Sequence, residues 1–113
     1  MALSAARARN LLLGFDNVSE APHFDRVAFR TPRRILATLA GDGRDVNFML
    51  DPLEQETFCE MAPAALAPVP GGWGRMGATR CDLKKVDEVT FMAAAEAAHA
   101  RASQPRNNRR TKR

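Results

Sequence analysis

Apolar positions along the chain follow two different periods, and the places where one gives way to the other divide it into elements. Residues 4–13 are rich in alanine, leucine and arginine, with Ala5, Ala8 and Leu12 at helical spacing and Gly14 following where a helix would stop. From Val27 to Ala40 two β-type runs flank Thr31-Pro32-Arg33, and a proline there fits a turn, so the segment reads as a hairpin. Gly41-Asp42-Gly43 is a second turn by composition. After it Val46, Phe48 and Leu50 alternate with Asn47 and Met49, which predicts a third antiparallel strand.

Asp51-Pro52 then opens a helix with an acidic N-cap and a proline at the first helical position, and Glu54 stands where the partner of a capping box belongs. Phe58, Met61, Ala62 and Ala65 continue the helical spacing, but Pro63 should end the helix and leave one loose turn. Residues 67–77 are rich in proline and glycine and read as a loop. In the run after it, Thr79, Cys81 and Leu83 point inward while Arg80 and Asp82 point outward, the pattern of a last strand. A final helix starts near Val86–Asp87, with Phe91, Ala95, Ala98 and Ala102 as its buried stripe beside Met92 and His99. These elements predict one α+β domain over residues 1–102. Residues 103–113 contain too little apolar surface to offset the entropy of ordering and read as a disordered basic tail.

Charge changes the picture more than composition does. With 45% apolar and 27% charged residues the chain is of ordinary globular composition. Its formal charge of +4 is unevenly placed: residues 1–100 hold 11 Lys and Arg against all 13 Asp and Glu, a net of −2, and the remaining stretch holds six cations and no acid. The basicity therefore belongs to the tail, and a polyanion is the partner it fits. The two cysteines, Cys59 and Cys81, form no metal-binding or disulfide pattern, so a reducing, cytoplasmic setting is expected. No apolar run approaches the roughly 20 residues that would span a bilayer, so no membrane association is expected.

Catalytic chemistry finds no candidate set. His23 and His99 are the only histidines, and neither a nucleophile elbow nor a paired-carboxylate arrangement is present, so the chain reads as a non-enzyme without cofactor or metal. Gly72-Trp73-Gly74-Arg75-Met76-Gly77 matches the GxGxxG phosphate fingerprint in letters, but a proline-rich stretch precedes it and a strand follows, the reverse of the context that motif needs. Its glycines are expected to let a tight loop close around a buried Trp73 wedged against the sheet. Arg26, Arg30, Arg33 and Arg34 cluster about the first hairpin, and Arg75, Arg80, Lys84 and Lys85 form a second basic group. Such arginines either solvate a hairpin edge or straddle phosphates.

Several segments together, SEAPHFDRVAFR, RRILATL, MLDPLEQE and PGGWGRMGATRCDL with the terminal helix, resemble the MmcQ/YjbR family over roughly residues 5–100. The resemblance implies a frataxin-like (CyaY-like) α/β sandwich, in which helices pack on one face of an antiparallel sheet, and a double-wing mode of DNA binding. His23, Phe24, Arg30, Arg34, Trp73, Gly74, Arg75 and Arg80 fall in the matching segments. The acidic cluster that frataxins use for iron is missing, since no Asp or Glu lies between Met1 and Phe15.

The function expected is that of a nucleic-acid-binding accessory or regulatory protein, monomeric, with DNA as partner and RNA as the other polyanion the same charge would serve. Arg30, Arg33, Arg34, Arg75 and Arg80 of the wings and Arg109 and Arg110 of the tail are its phosphate contacts. The alternative is a protein-interaction or small-ligand module with a pocket formed by His23, Phe24 and Trp73.

Overall fold

The computed structural model describes residues 3–105. In chain order the elements are α1 (Ala5–Leu13), β1 (Ser19–His23), β2 (Arg26–Arg30), β3 (Ile35–Ala40), β4 (Asp45–Met49), α2 (Pro52–Met61), β5 (Leu66–Pro68), α3 (Gly72–Arg75), β6 (Ala78–Asp82) and α4 (Glu88–Ser103). The strands form one sheet in the order β1-β2-β3-β4-β6-β5, every neighbouring pair antiparallel. With the helices on one side this is the α+β architecture that the sequence predicts.

Each long helix starts where a side chain can satisfy free backbone N–H groups. Ser4 accepts from the Arg7 amide, Asp87 from the Thr90 amide, and Asp51 and Glu54 bond reciprocally to one another's backbone, with Pro52 at the first turn. The helix from Pro52 ends at Met61, ahead of Pro63, as expected of a residue that cannot continue the hydrogen-bond ladder. Helix α4 buries Phe91, Ala94, Ala95, Ala98 and Ala102 against β3 and β4, and the small alanines let it lie close to the sheet. Phe91 meets Phe48 of β4 edge to face at 5.2 Å, and Ala8 and Leu12 of α1 complete the same core with Phe29 and Val46.

Two strands escape the sequence reading, which finds four. β1 and β5 are the outermost strands, and both contain a proline, Pro22 and Pro68. An edge strand has one side without a ladder partner and tolerates the missing N–H, so proline marks a strand's position at the edge as readily as its absence. The expected loop at 67–77 therefore holds the end of β5 and the single turn α3. Helix α4 runs through Ser103, the first residue of the expected tail, and residues 106–113, including Arg109 and Arg110, lie outside the described residues. No helix among the described residues is long and apolar enough to cross a membrane.

Candidate functional site

The sheet register decides which side chains share a face. Phe29, Ala37, Phe48 and Thr79 are successive partners across β2, β3, β4 and β6 and turn toward the helices. The alternate row therefore turns away from them: His23 and Arg26, then Ala28 with Thr38, Asn47 and Arg80. A shift in the β2–β3 register beyond Phe29 pairs Arg30 with Ile35 and keeps both on this open face.

The open face is hollowed into a trough of about 620 Å³. Its cationic side is made by Arg26, Arg30, Arg33, Arg34 and Arg101, and among its lining residues Asp25 is the single carboxylate. The apolar side comes from Ile35, Met49, Val69, Met76 and Trp73. Arg101 reaches this group because the end of α4 is tied to the β2–β3 turn, where the Thr31 hydroxyl donates to the Ala102 carbonyl at 2.7 Å. The same hydroxyl accepts from the Arg33 and Arg34 amides, which fixes the turn that presents both arginines.

Two kinds of arginine share this face. Arg26 is held down: its guanidinium donates to the Thr38 hydroxyl at 2.8 Å, to the Thr38 carbonyl at 2.9 Å and to Asp45 at 2.8 Å. Asp45 also accepts from Arg80 at 3.2 Å, so one carboxylate bridges two strands' cations. By contrast, Arg30, Arg33, Arg34 and Arg101 form no salt bridge among the described residues. Their charge is available to an anion. Two polar atoms of the trough, Arg34 Nε and Asn47 Oδ1, are buried without a protein partner among the described residues, an uncommon condition for buried polar groups.

Trp73 corrects an expectation. The indole is 70% exposed on α3 instead of being wedged against the sheet. The glycines around it act on the backbone beneath: a Cβ at residue 74 would lie 1.7 Å from the Val69 carbonyl oxygen, and one at residue 77 would lie 1.9 Å from the Leu50 carbonyl oxygen. The side of α3 that faces its neighbours is thus occupied by Gly74, and Trp73 stands off that side. Gln55 secures the segment by donating to the Gly74 and Ala78 carbonyls at 2.8 and 3.0 Å. Phe24 is 95% exposed at the β1–β2 turn with φ at +60°, a conformation that a bulky side chain rarely adopts. His23 beside it makes an edge contact with its ring at 5.0 Å.

Of the residues that the sequence singles out, His23, Phe24, Arg30, Arg33, Arg34 and Trp73 all line this one trough. The structure thus merges the wing arginines with the pocket residues. Arg80 lies on the same face but spends its guanidinium on Asp45, and Arg75 projects into solvent from the last turn of α3. Asn47, Met49 and Arg101 were missed. Asn47 and Met49 occupy the outward positions of an alternating strand, a readable sign of the open face; nothing in the sequence brings Arg101 to Arg34. His99, the other histidine, stacks on Phe15 at 4.9 Å with Nε2 2.9 Å from the Asp16 carbonyl oxygen, in the α1–α4 corner away from the trough. Among the described residues no group of three His, Cys, Asp or Glu could hold a metal ion.

An antiparallel six-stranded sheet with helices on one side and an arginine-lined hollow on the other defines an α+β fold with one open sheet face. In fold the chain is similar to the solved structure of Deinococcus radiodurans protein DR2400, a DUF419 domain, with a TM-score of 0.60 and 15% identity over 84% of this chain and 72% of that one. No protein-family model and no curated protein matches it.

Proposed function

We propose that the protein binds nucleic acid without catalysing a reaction, gripping phosphates with the open face of its sheet. The observation that supports this reading is the convergence of Arg30, Arg33, Arg34 and Arg101 on one hollow with a single carboxylate, Asp25, among the lining residues. Like charges gathered without counter-ions repel one another, and a polyanion is the partner that relieves them. The resemblance of the sequence to MmcQ/YjbR proteins, for which a double-wing mode of DNA binding is proposed, points the same way. The tail cations Arg106, Arg109, Arg110, Lys112 and Arg113 add a second, sequence-independent attraction.

Titration of labelled duplex DNA, single-stranded DNA and RNA at several salt concentrations tests the reading. Binding through phosphates gives log K a slope against log salt of about −0.9 per neutralised phosphate on a duplex and about −0.7 on a single strand. Replacing Arg30, Arg33, Arg34 and Arg101 together by Gln in the full chain should weaken binding and flatten that slope by up to about 3 to 4. Replacing the five tail cations by Gln should remove a separate share. If the four-arginine variant binds as the parent does with the same slope, the trough is not the interface.

A second reading, a small anionic ligand, is favoured by one observation: a hollow of about 620 Å³ with an apolar wall is the size of a small-molecule site. Saturable binding of a small organic anion, with nucleic acid bound no better by parent than by the four-arginine variant, would favour it.

A further inference from the structure

The arginines account for affinity toward any phosphate chain, but they leave the rest of the trough unexplained. An exposed aromatic side chain loses the benefit of burying its surface, and here there are two. Trp73 is 70% exposed and Phe24 is 95% exposed, the latter also held at a positive φ that costs backbone energy. Strain and exposure together at residues that line a cationic hollow indicate a ligand with a flat apolar face.

The register places these two rings at opposite ends of the hollow. Phe24 belongs to the turn before Arg26, whereas Trp73 belongs to α3, which leads into Ala78; Ala78 pairs with Met49 at the end of the sheet where Arg30 pairs with Ile35. The four residue steps from Arg26 to Arg30 separate the ends along the strands by roughly 13 Å at about 3.3 Å per step. Arg30, Arg33 and Arg34 therefore lie at the same end of the strands as Trp73 but across the sheet from it, at β2 and its turn against β6, and Asn47 lies between the ends, opposite Thr38 on one side and Arg80 on the other.

We propose that the trough takes unpaired nucleotides of a single strand, one base stacked on Trp73 and another on Phe24, with the phosphates between them held by Arg30, Arg33 and Arg34. In a duplex each base has its faces stacked and its pairing edge occupied, so neither ring would find a surface to cover; an unpaired base offers both. The unpaired edge also meets polar groups that line the trough. Polar atoms there include those of Thr38, Asn47 and the arginines, and the pairing edges of bases present both donors and acceptors to such groups. The inference rests on the nucleic-acid reading and narrows it to strand state.

The chain contains one tryptophan and no tyrosine, so its intrinsic emission reports on Trp73 alone. The parent protein is titrated with a short single-stranded DNA, the matching RNA and the same DNA sequence as a duplex, following Trp73 emission together with the anisotropy of a label on the nucleic acid. Either single strand should bind more tightly than the duplex and quench the emission. Trp73→Ala, followed by anisotropy, should weaken single-strand binding by about 5- to 150-fold, the range for loss of one stacking platform, and leave duplex binding within about twofold. Trp73→Phe should recover part of the loss, and Phe24→Ala should weaken the single strand in the same selective way. Duplex bound as tightly as the single strand, with emission unchanged, would overturn the strand-state proposal and leave the phosphate-binding reading standing. Equal losses on single strand and duplex in Trp73→Ala would overturn it too. Failure of all three nucleic acids to bind would remove both readings together.

Discussion

The three glycines at positions 72, 74 and 77 answer differently to one added methyl group, and the order of those answers tests how the trough is built. At Gly72 a Cβ finds only the end of the Arg75 side chain, at 3.6 Å, so Gly72→Ala is free of clash. At Gly74 a Cβ would lie 1.7 Å from the Val69 oxygen and 2.8 Å from its carbonyl carbon. These are backbone atoms at the exit of β5, and relief requires α3 to move; the cost should be about 2 to 3 kcal/mol, in the range for overpacking. Gly77 combines a 1.9 Å approach to the Leu50 oxygen with φ at +116°, so a further cost of about 1 to 3 kcal/mol for the backbone conformation adds to the clash. The expected order is Gly72→Ala near zero, Gly74→Ala intermediate and Gly77→Ala worst, at about 3 to 5 kcal/mol. For a domain of this size Gly77→Ala should lower the melting temperature by roughly 10 to 20 °C. Thermal and urea unfolding of the three variants measures this directly. Equal costs at all three positions would refute the packing account. A Gly72→Ala protein that melts normally but no longer binds phosphate would instead revive the phosphate-loop reading of GxGxxG.

Three further outcomes follow from exposure, strain and burial. Trp73→Ala should cost only about 1 to 2 kcal/mol, because roughly 30% of the indole surface is shielded at about 25 cal/mol per Å²; a loss of about 3 to 5 kcal/mol, the core range, would mean that the residue is part of the core. Phe24→Gly should leave the melting temperature unchanged or raise it, since relief of the positive φ, about 1 to 2 kcal/mol, outweighs the added freedom of glycine in the unfolded chain, about 0.5 to 1 kcal/mol; a clear loss would assign Phe24 a folding role. Burial, reinforced by nearby Asp82, pushes the Cys81 thiol up to about 12. The unfolded chain therefore gives up this proton first, and the thiol's contribution to stability, complete at neutral pH, should be lost as pH rises from about 9 toward 12. Unfolding of the parent and of Cys81→Ala across that window should show the steeper decline in the parent, and parallel curves would contradict the burial argument.

Local rules go far in this chain. The capping box at Asp51, the stop before Pro63, the alternation of Val46, Phe48 and Leu50 and the buried stripe of α4 all depend on neighbours within a few residues, and all appear in the fold as the residue pattern predicts. The failures share a cause of their own. β1 and β5 each contain a proline and become strands because a neighbouring strand offers a ladder on one side only, a condition set by sheet order and invisible in the local run. Trp73 looks like a core residue by type, yet on α3 it is Gly74 that packs against the Val69 backbone, and the neighbouring indole is left exposed. Charge shows the same division. Residues 1–100 are net acidic in sequence, and the cluster of Arg30, Arg33 and Arg34 is local, but the sheet register and the tie from Thr31 to Ala102 bring it together with the distant Arg101 at one hollow. Periodicity and caps are properties of adjacent residues and can be read in one dimension; a face of concentrated charge is a sum over distant residues, and only the folded chain performs that sum.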